Sequence, residues 1–312
     1  MTFRSIVLFA HNEEASILGA IDAVKRANPG PDDRIIVLIN GSTDHTLSRV
    51  KAASDHDPRI HPIAIALGDK ANAWDLYVHI LGDPSADIHI FVDGDVRISK
   101  GALDEIDRQI SAHPEALAIS TLPRGGRQSV RWAARIMAHS GMPGNFYAVP
   151  GPTFRRLRGR VWLPVGFMGD DTLLRWLLLR DLDPLGDVQM NRIKPCPTVF
   201  FDYDSFPRNS IAGLRRLVRR HLQYARREIQ VHLLFSLLTA QGLAAMPRRI
   251  SQVYDRIHVL KDSLNANVGF KGRRLLLPFI ALGLKRRKSL PPPKEPAWFE
   301  AGAATAKEHG VT

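Results

Sequence analysis

Three polar clusters, each directly behind a short apolar run, constrain this chain more than any other feature. His11-Asn12-Glu13-Glu14 follows the run 5–10, Asn40-Gly41-Ser42-Thr43-Asp44 the run 34–39, and Asp93-Gly94-Asp95 the run 88–92. Strand-like runs at 5–10, 34–39, 60–65, 88–92 and 117–121 alternate with helical patterns near 13–27, 45–54, 70–81 and 101–111. Near-continuous Ile, Val and Leu strands separated by helices belong to a mostly parallel, twisted sheet covered on both faces, so the expected fold class is α/β. Ligands of such open sheets bind beyond the carboxyl ends of the strands, which is where the three clusters fall.

Charge divides the chain unevenly. Residues 206–312 carry 20 Lys and Arg against 6 Asp and Glu, a net of +14; the chain's total of +12 leaves −2 for residues 1–205. The expected organisation is an α/β domain over 1–205, a basic helical extension over 206–290 and a disordered tail over 291–312 that opens with Pro291-Pro292-Pro293. Within it, 122–165 reads as irregular and rich in Gly, Pro and Arg, a helix is expected from Asp170 to Arg180, and 206–228 and 231–264 read as helical. A concentrated basic surface suggests an anionic partner. Few aromatics interleave its arginines, which disfavours nucleic acid. An anionic membrane surface fits better, because the apolar run 275–284 adjoins Lys285-Arg286-Arg287-Lys288.

One cysteine, Cys196, excludes an intrachain disulfide and fits a reducing compartment. The apolar run 5–10 is too short for a secretory signal, and 231–246 is interrupted by His232, Ser236, Thr239 and Gln241, so no membrane span is expected. The expected location is the cytoplasm, with peripheral attachment to the inner face of a membrane.

The clusters carry specific chemistry beside plainer structural readings. Asp93 and Asp95 can share Mg²⁺ or Mn²⁺ whose other ligands come from a diphosphate. Asn40 and Asp44 offer polar groups to a nucleobase and ribose, although an Asn-Gly turn and helix N-cap need the same residues. Asp170 and Asp171 at a helix start contribute about 0.3–1 kcal/mol each through the helix dipole; alternatively one of them is a general base for an acceptor hydroxyl. Arg219 and Arg220, within a basic helical face that includes Arg215 and Arg216, suit either solvent or a leaving diphosphate. His221 is a candidate further metal ligand or a structural histidine.

In this order the clusters resemble the family 2 glycosyltransferases, whose catalytic domain has the GT-A fold with a Rossmann-like nucleotide-binding half. Phe9-Ala10-His11-Asn12-Glu13-Glu14 is similar to that family's first nucleotide loop, and Asn40-Gly41-Ser42-Thr43-Asp44 to its D-G-S-T-D loop. Lys70-Ala71-Asn72-Ala73 resembles the G-K-x-x-A-L-N segment, Asp93-Gly94-Asp95 the D-x-D motif, and the stretch 163–171 the acceptor-side segment that ends in E-D. The resemblance implies a nucleotide-sugar site formed by Ala10, Asn12, Glu13, Asn40, Asp44, Lys70, Asp93, Gly94, Arg219 and Arg220. It implies a metal at Asp93 and Asp95 with His221, and catalysis by Asp171 beside Asp170. The implied reaction is metal-dependent, inverting transfer of one sugar from a UDP- or GDP-linked donor to a hydroxyl of a saccharide or lipid-linked acceptor. Asn40 replaces the usual aspartate, Asp75 stands near the usual asparagine, and Asp170 replaces glutamate. The Q-x-x-R-W signature of processive members is absent; Gln223-Tyr224-Ala225-Arg226-Arg227 only echoes it.

Two other readings stay open. A nucleotidyltransferase would want a Gly-rich, basic loop after the first strand, whereas His11-Asn12-Glu13-Glu14 is acidic. An inactive, glycosyltransferase-like binding protein is consistent with Asn40.

Overall fold

The computed structural model describes residues 2–125, 128–203 and 211–258; for 211–221 and 255–258 it describes the backbone alone. Side chains of Arg215, Arg216, Arg219, Arg220 and His221 therefore lie outside the described residues, as do the segment 275–288 and the tail 291–312.

Strands β1 (Arg4–Ala10), β2 (Arg34–Asn40), β3 (Ile60–Ile65) and β4 (Ile88–Asp93) alternate with helices α1 (Ile17–Arg26), α2 (Thr46–Ser54) and α3 (Lys70–Leu76). A π-helical turn, Tyr77–Leu81, prolongs α3. The short β5 (Val96–Ile98), α4 (Ala102–Ala112) and β6 (Ala118–Pro123) follow. The stretch expected to be irregular contains α5 (Ser129–His139), β7 (Phe146–Pro150) and α6 (Gly151–Leu157). The chain then forms α7 (Asp170–Leu178), β8 (Ile193–Tyr203) and α8 (Ile211–Gln241).

Eight strands make one sheet in the order β3-β2-β1-β4-β7-β6-β8-β5. β1 pairs in parallel with β2 and with β4, so the order reverses direction around β1 and opens a crevice at its carboxyl end. β7 runs antiparallel to both β4 and β6, and β5 antiparallel to β8. The sheet is mixed but remains mostly parallel.

β1 shows why its sequence is so apolar. Every residue is buried, with Val7 and Phe9 entering one core and Ile6, Leu8 and Ala10 the other. Alternate side chains point to opposite faces, so this strand, covered on both sides, is apolar from Ile6 on, and its two buried polar residues are paired, Arg4 with Asp33 and Ser5 with Tyr77. Each fully buried Val, Leu or Ile contributes about 1.5–3 kcal/mol. The Ile6 core is covered by α1 and α4 through Ile17, Ile21, Leu103 and Ile106. The Val7 core is covered by α3, α7 and the far half of α8, through Trp74, Leu173, Leu177, Ile229, Leu233 and Leu238.

The C-terminal helices differ from the sequence pattern. A single helix, α8, spans the boundary expected between 228 and 231, and it stops at Gln241 rather than continuing to 264. Gly242 takes φ +77° and ψ −179°, a conformation close to exclusive to glycine, and among the described residues after it the helical segments are 3-10, Leu243–Ala245 and Ile250–His258. Among the described residues no helix is long and apolar enough to cross a membrane.

Candidate active site

The loops after β1 and β2 are laced to each other side chain to backbone. Asn12 N donates to Ser42 Oγ (2.9 Å), and Asn12 Oδ1 accepts from Thr43 N (2.8 Å). Asn12 holds φ at 56°, in the left-handed region that asparagine tolerates better than most residues. Glu13 N donates to Thr46 Oγ1 (2.8 Å) and Glu14 N to Asp44 Oδ2 (3.0 Å). The other Asp44 oxygen accepts from Thr46 N (3.0 Å) and Thr46 Oγ1 (2.6 Å), at the entry to α2. Burial would raise the Asp44 carboxyl, but these donors outweigh it and hold the pKa below the usual range. Asn40 is buried, and its Nδ2 donates to Ala10 O (2.9 Å). Asn40 and Asp44 thus hold this edge of the sheet together.

Two glycines allow the loops to close. Gly41 has φ +61°, and a Cβ there would lie 2.4 Å from both Cα and N of Gly68. A Cβ on Gly94 would lie 2.9 Å from Phe9 O, the atom that accepts the Gly94 N–H at 2.8 Å. The Asp93-Gly94-Asp95 turn therefore rests directly on the end of β1.

Charge concentrates beside that turn. Lys70 Nζ, from the first turn of α3, lies 2.5 Å from Asp93 Oδ1 and 3.5 Å from Asp170 Oδ2, and donates to Gly144 O at 3.0 Å. Asn145 Nδ2 donates to Asp93 Oδ2 (3.2 Å), and Asp93 N to Asn145 O (2.9 Å). Burial alone would lower the Lys70 ammonium; Asp93 and Asp170 reverse that and hold it above the usual lysine range. Asp93 is pushed up to about 6 by burial and by Asp95 and Asp170, against the pull of Lys70. The Glu13 carboxyl is raised chiefly by burial, with Asp93 and Asp44 adding to it and the short contact from Ser16 Oγ opposing it.

On the far side stands Asp171. Its Oδ1 accepts from Thr172 N (2.7 Å) and from Arg227 Nη2 of α8 (2.6 Å), and Arg227 also donates to Thr172 Oγ1. Burial and the adjacent Asp170 push its pKa up, and Arg227 and Lys70 pull it back in part. A Cβ on Gly144 would lie 3.0 Å from Asp171 Cβ, so the residue next to Asn145 stands against this carboxylate. The structure thus gathers Lys70, Asp93, Asp95, Asp170 and Asp171 at one edge. Sequence reasoning did not single out Asn145, Gly144 or Arg227 as site residues; the loose Gln223–Arg227 echo was the sole trace of the last.

Among the described residues no group of three His, Cys, Asp or Glu side chains could by itself hold a metal ion. The donor chemistry nevertheless fits one. Mg²⁺ and Mn²⁺ favour oxygen ligands, and Mg²⁺ in particular usually takes one or two carboxylates and completes its shell with phosphates and water. The Asp93 and Asp171 carboxyls, raised chiefly by burial and further by neighbouring carboxylates, would be relieved by a bound cation.

A mostly parallel sheet with a carboxylate-lined crevice beyond β1 and β4 is the arrangement expected of a nucleotide-binding α/β enzyme. The sequence matches glycosyl transferase family 2 over residues 5–175, and the chain belongs to that family. The fold is similar to the mannosyltransferase PcManGT from Pyrobaculum calidifontis, solved in complex with GDP-Man and Mn²⁺. That likeness has TM-score 0.55 at 17% identity, covering 99% of this chain and 82% of that one. TarS residues 1–349 from S. aureus gives TM-score 0.50 at 12% identity, covering 99% of this chain and 92% of that one. No curated protein sequence matches the chain.

Proposed function

We propose that the chain transfers a single sugar from a UDP- or GDP-linked donor to an acceptor hydroxyl, with inversion. The observation that carries this reading is the carboxylate cluster of Asp93, Asp170 and Asp171 around Lys70 at the crevice beyond β1 and β4. The laced loops at Ala10–Glu13 and Asn40–Asp44 form the nucleoside side of the site, with Asn12 and Glu13 on its rim. Lys70 and the Gly94 turn face the diphosphate, and Arg219 and Arg220 are assigned to the same anion. Asp93 and Asp95, with His221 as the further candidate, would hold Mn²⁺ or Mg²⁺, which when bound would supply Lewis-acid stabilisation of the leaving diphosphate.

Asp171 is the assigned base. It takes the proton of the acceptor hydroxyl as that oxygen attacks the anomeric carbon, and the bond from that carbon to the diphosphate oxygen breaks with its electron pair leaving on the diphosphate. A base works best when its pKa lies near the working pH, and the upward shift at Asp171 moves it in that direction. Asp170 holds Lys70 toward Asp93 and so links the base side of the site to the diphosphate side. The net +14 of residues 206–312 suits an anionic membrane surface carrying a lipid-linked acceptor; sedimentation with anionic vesicles tests that part.

Calorimetry of GDP and UDP, with and without Mn²⁺, tests the donor site on the parent chain and on Asp95→Ala. Metal-dependent binding of one nucleotide by the parent, reduced about 10-fold or more in Asp95→Ala, is expected, because a lost charge-assisted ligand typically costs at least that much. Well-folded parent protein that binds neither nucleotide would overturn the reading.

A further inference from the structure

Residues 5–175 carry the family match, yet the base candidate at its end is held by residues that lie beyond it. Arg227 bonds the Asp171 carboxylate at 2.6 Å and also reaches Thr172 Oγ1, so one guanidinium fixes two successive side chains of α7's first turn. One helical turn on, Gln230 is fully buried; its Oε1 accepts from Met168 N (3.0 Å) and its Nε2 donates to Gly166 O (3.1 Å) and Tyr254 Oη (2.8 Å). Val165 is bound on both sides by the same region: its N–H donates to Arg248 O (3.0 Å) and its carbonyl accepts from Ile250 N (3.0 Å). The loop 165–172 is therefore gripped along its length by α8 and the turns after it.

Without that grip Asp171 would be poorly defined. It sits at a helix start beside a second carboxylate, and two adjacent acids repel and turn away from each other. Arg227 opposes this twice, by supplying charge and by a directional bond that fixes the carboxylate's orientation. We propose that Arg227 is the positioning residue for the base Asp171, which makes α8 a working part of the acceptor side of the site. The inference rests on the assignment of Asp171 as base.

The test uses the full chain with Mn²⁺ and follows release of GDP or UDP from GDP-mannose and UDP-glucose, on whichever of them the parent turns over. Arg227→Ala is expected to lower kcat about 10²-fold, the scale of a misplaced reacting group, while leaving nucleotide affinity by calorimetry unchanged. Arg227→Lys keeps the charge and is expected to recover part of kcat. The groups facing Asp171 are Asp170 beside it, Lys70 from α3 and Arg227 from α8. Removing Arg227 deletes the strongest pull downward on the Asp171 pKa. The acid limb of the kcat/KM profile should therefore move to higher pH in Arg227→Ala, a shift that a purely structural role would not produce.

Asp171→Asn separates the two claims. If Asp171→Asn is inactive, the double variant with Arg227→Ala should be no slower, because residues acting as a unit are not additive. Full activity of Asp171→Asn would remove the base assignment and the inference with it. An inactive Asp171→Asn beside an Arg227→Ala variant of parental kcat and pH profile would overturn the inference alone. If Arg227→Ala does not fold, the decision passes to Arg227→Lys: an altered pH profile in a folded protein supports positioning, and a parental one refutes it.

Discussion

At Gly41 the backbone turns left-handed against Gly68, and no side chain has room there. A Cβ would approach two backbone atoms at 2.4 Å, which neither can avoid by rotating a side chain. Gly41→Ala is therefore expected to destabilise the fold by about 3 kcal/mol, combining left-handed strain with overpacking. Urea unfolding checks the magnitude, and the donor nucleotide should bind more weakly in the same variant because the two laced loops are spread. The neighbouring side chains show how one polar group can serve two ends: Asn40 and Asp44 look like ligands in the sequence, yet their side-chain bonds run to Ala10, Thr46 and Glu14. Their polar character was legible; that Asn40 reaches Ala10 and Asp44 takes the Glu14 amide, each some 30 positions away along the chain, was not.

At the scale of elements, the unit to test is the clasp between α8 and the loop leading into α7. Gln230→Leu keeps the volume of the side chain and removes its amide. It leaves Met168 N, Gly166 O and Tyr254 Oη without their partner inside a buried site. The expected cost is about 3 kcal/mol, since each buried polar group left unpaired costs about 1–3 kcal/mol and neighbouring losses overlap. Urea unfolding measures it, and amide exchange at Met168 should quicken more than exchange in β1. The same elements explain what the residue pattern hid. β7 is sandwiched between β4 and β6, antiparallel to both, so its place depends on strands that are remote in sequence. β8 contains Pro195 and Pro197, which mask its strand pattern, and it pairs with β6 across a register shift.

For the whole molecule, the uneven charge is the property with a direct readout. Attraction between a basic region and an anionic bilayer is additive over residues at about 1 kcal/mol each near the surface, and it is screened over about 10 Å at 0.1 M salt. The full chain should co-sediment with phosphatidylserine-containing vesicles at 50 mM salt, where the Debye length is about 14 Å, and be released at high salt. Vesicles of neutral lipid should leave it in the supernatant. Sedimentation that ignores lipid charge would assign the basic third to another partner.

By itself the sequence determined the fold class, the first four strands with their helices, and the polar clusters at three strand ends. These are local facts: a strand buried on both faces is mostly apolar, and chemistry that sits beyond it appears at once where the apolar run stops. Five motifs in order were enough for family membership, because each one is a short contiguous stretch. Which charges face each other was decided only by tertiary structure. Lys70 and Asp93 are 23 positions apart, Asp93 and Asn145 52, and Asp171 and Arg227 56, and no periodicity records such pairs. Their pKa shifts follow the same rule, since burial and neighbouring charge are properties of a folded neighbourhood rather than of a residue.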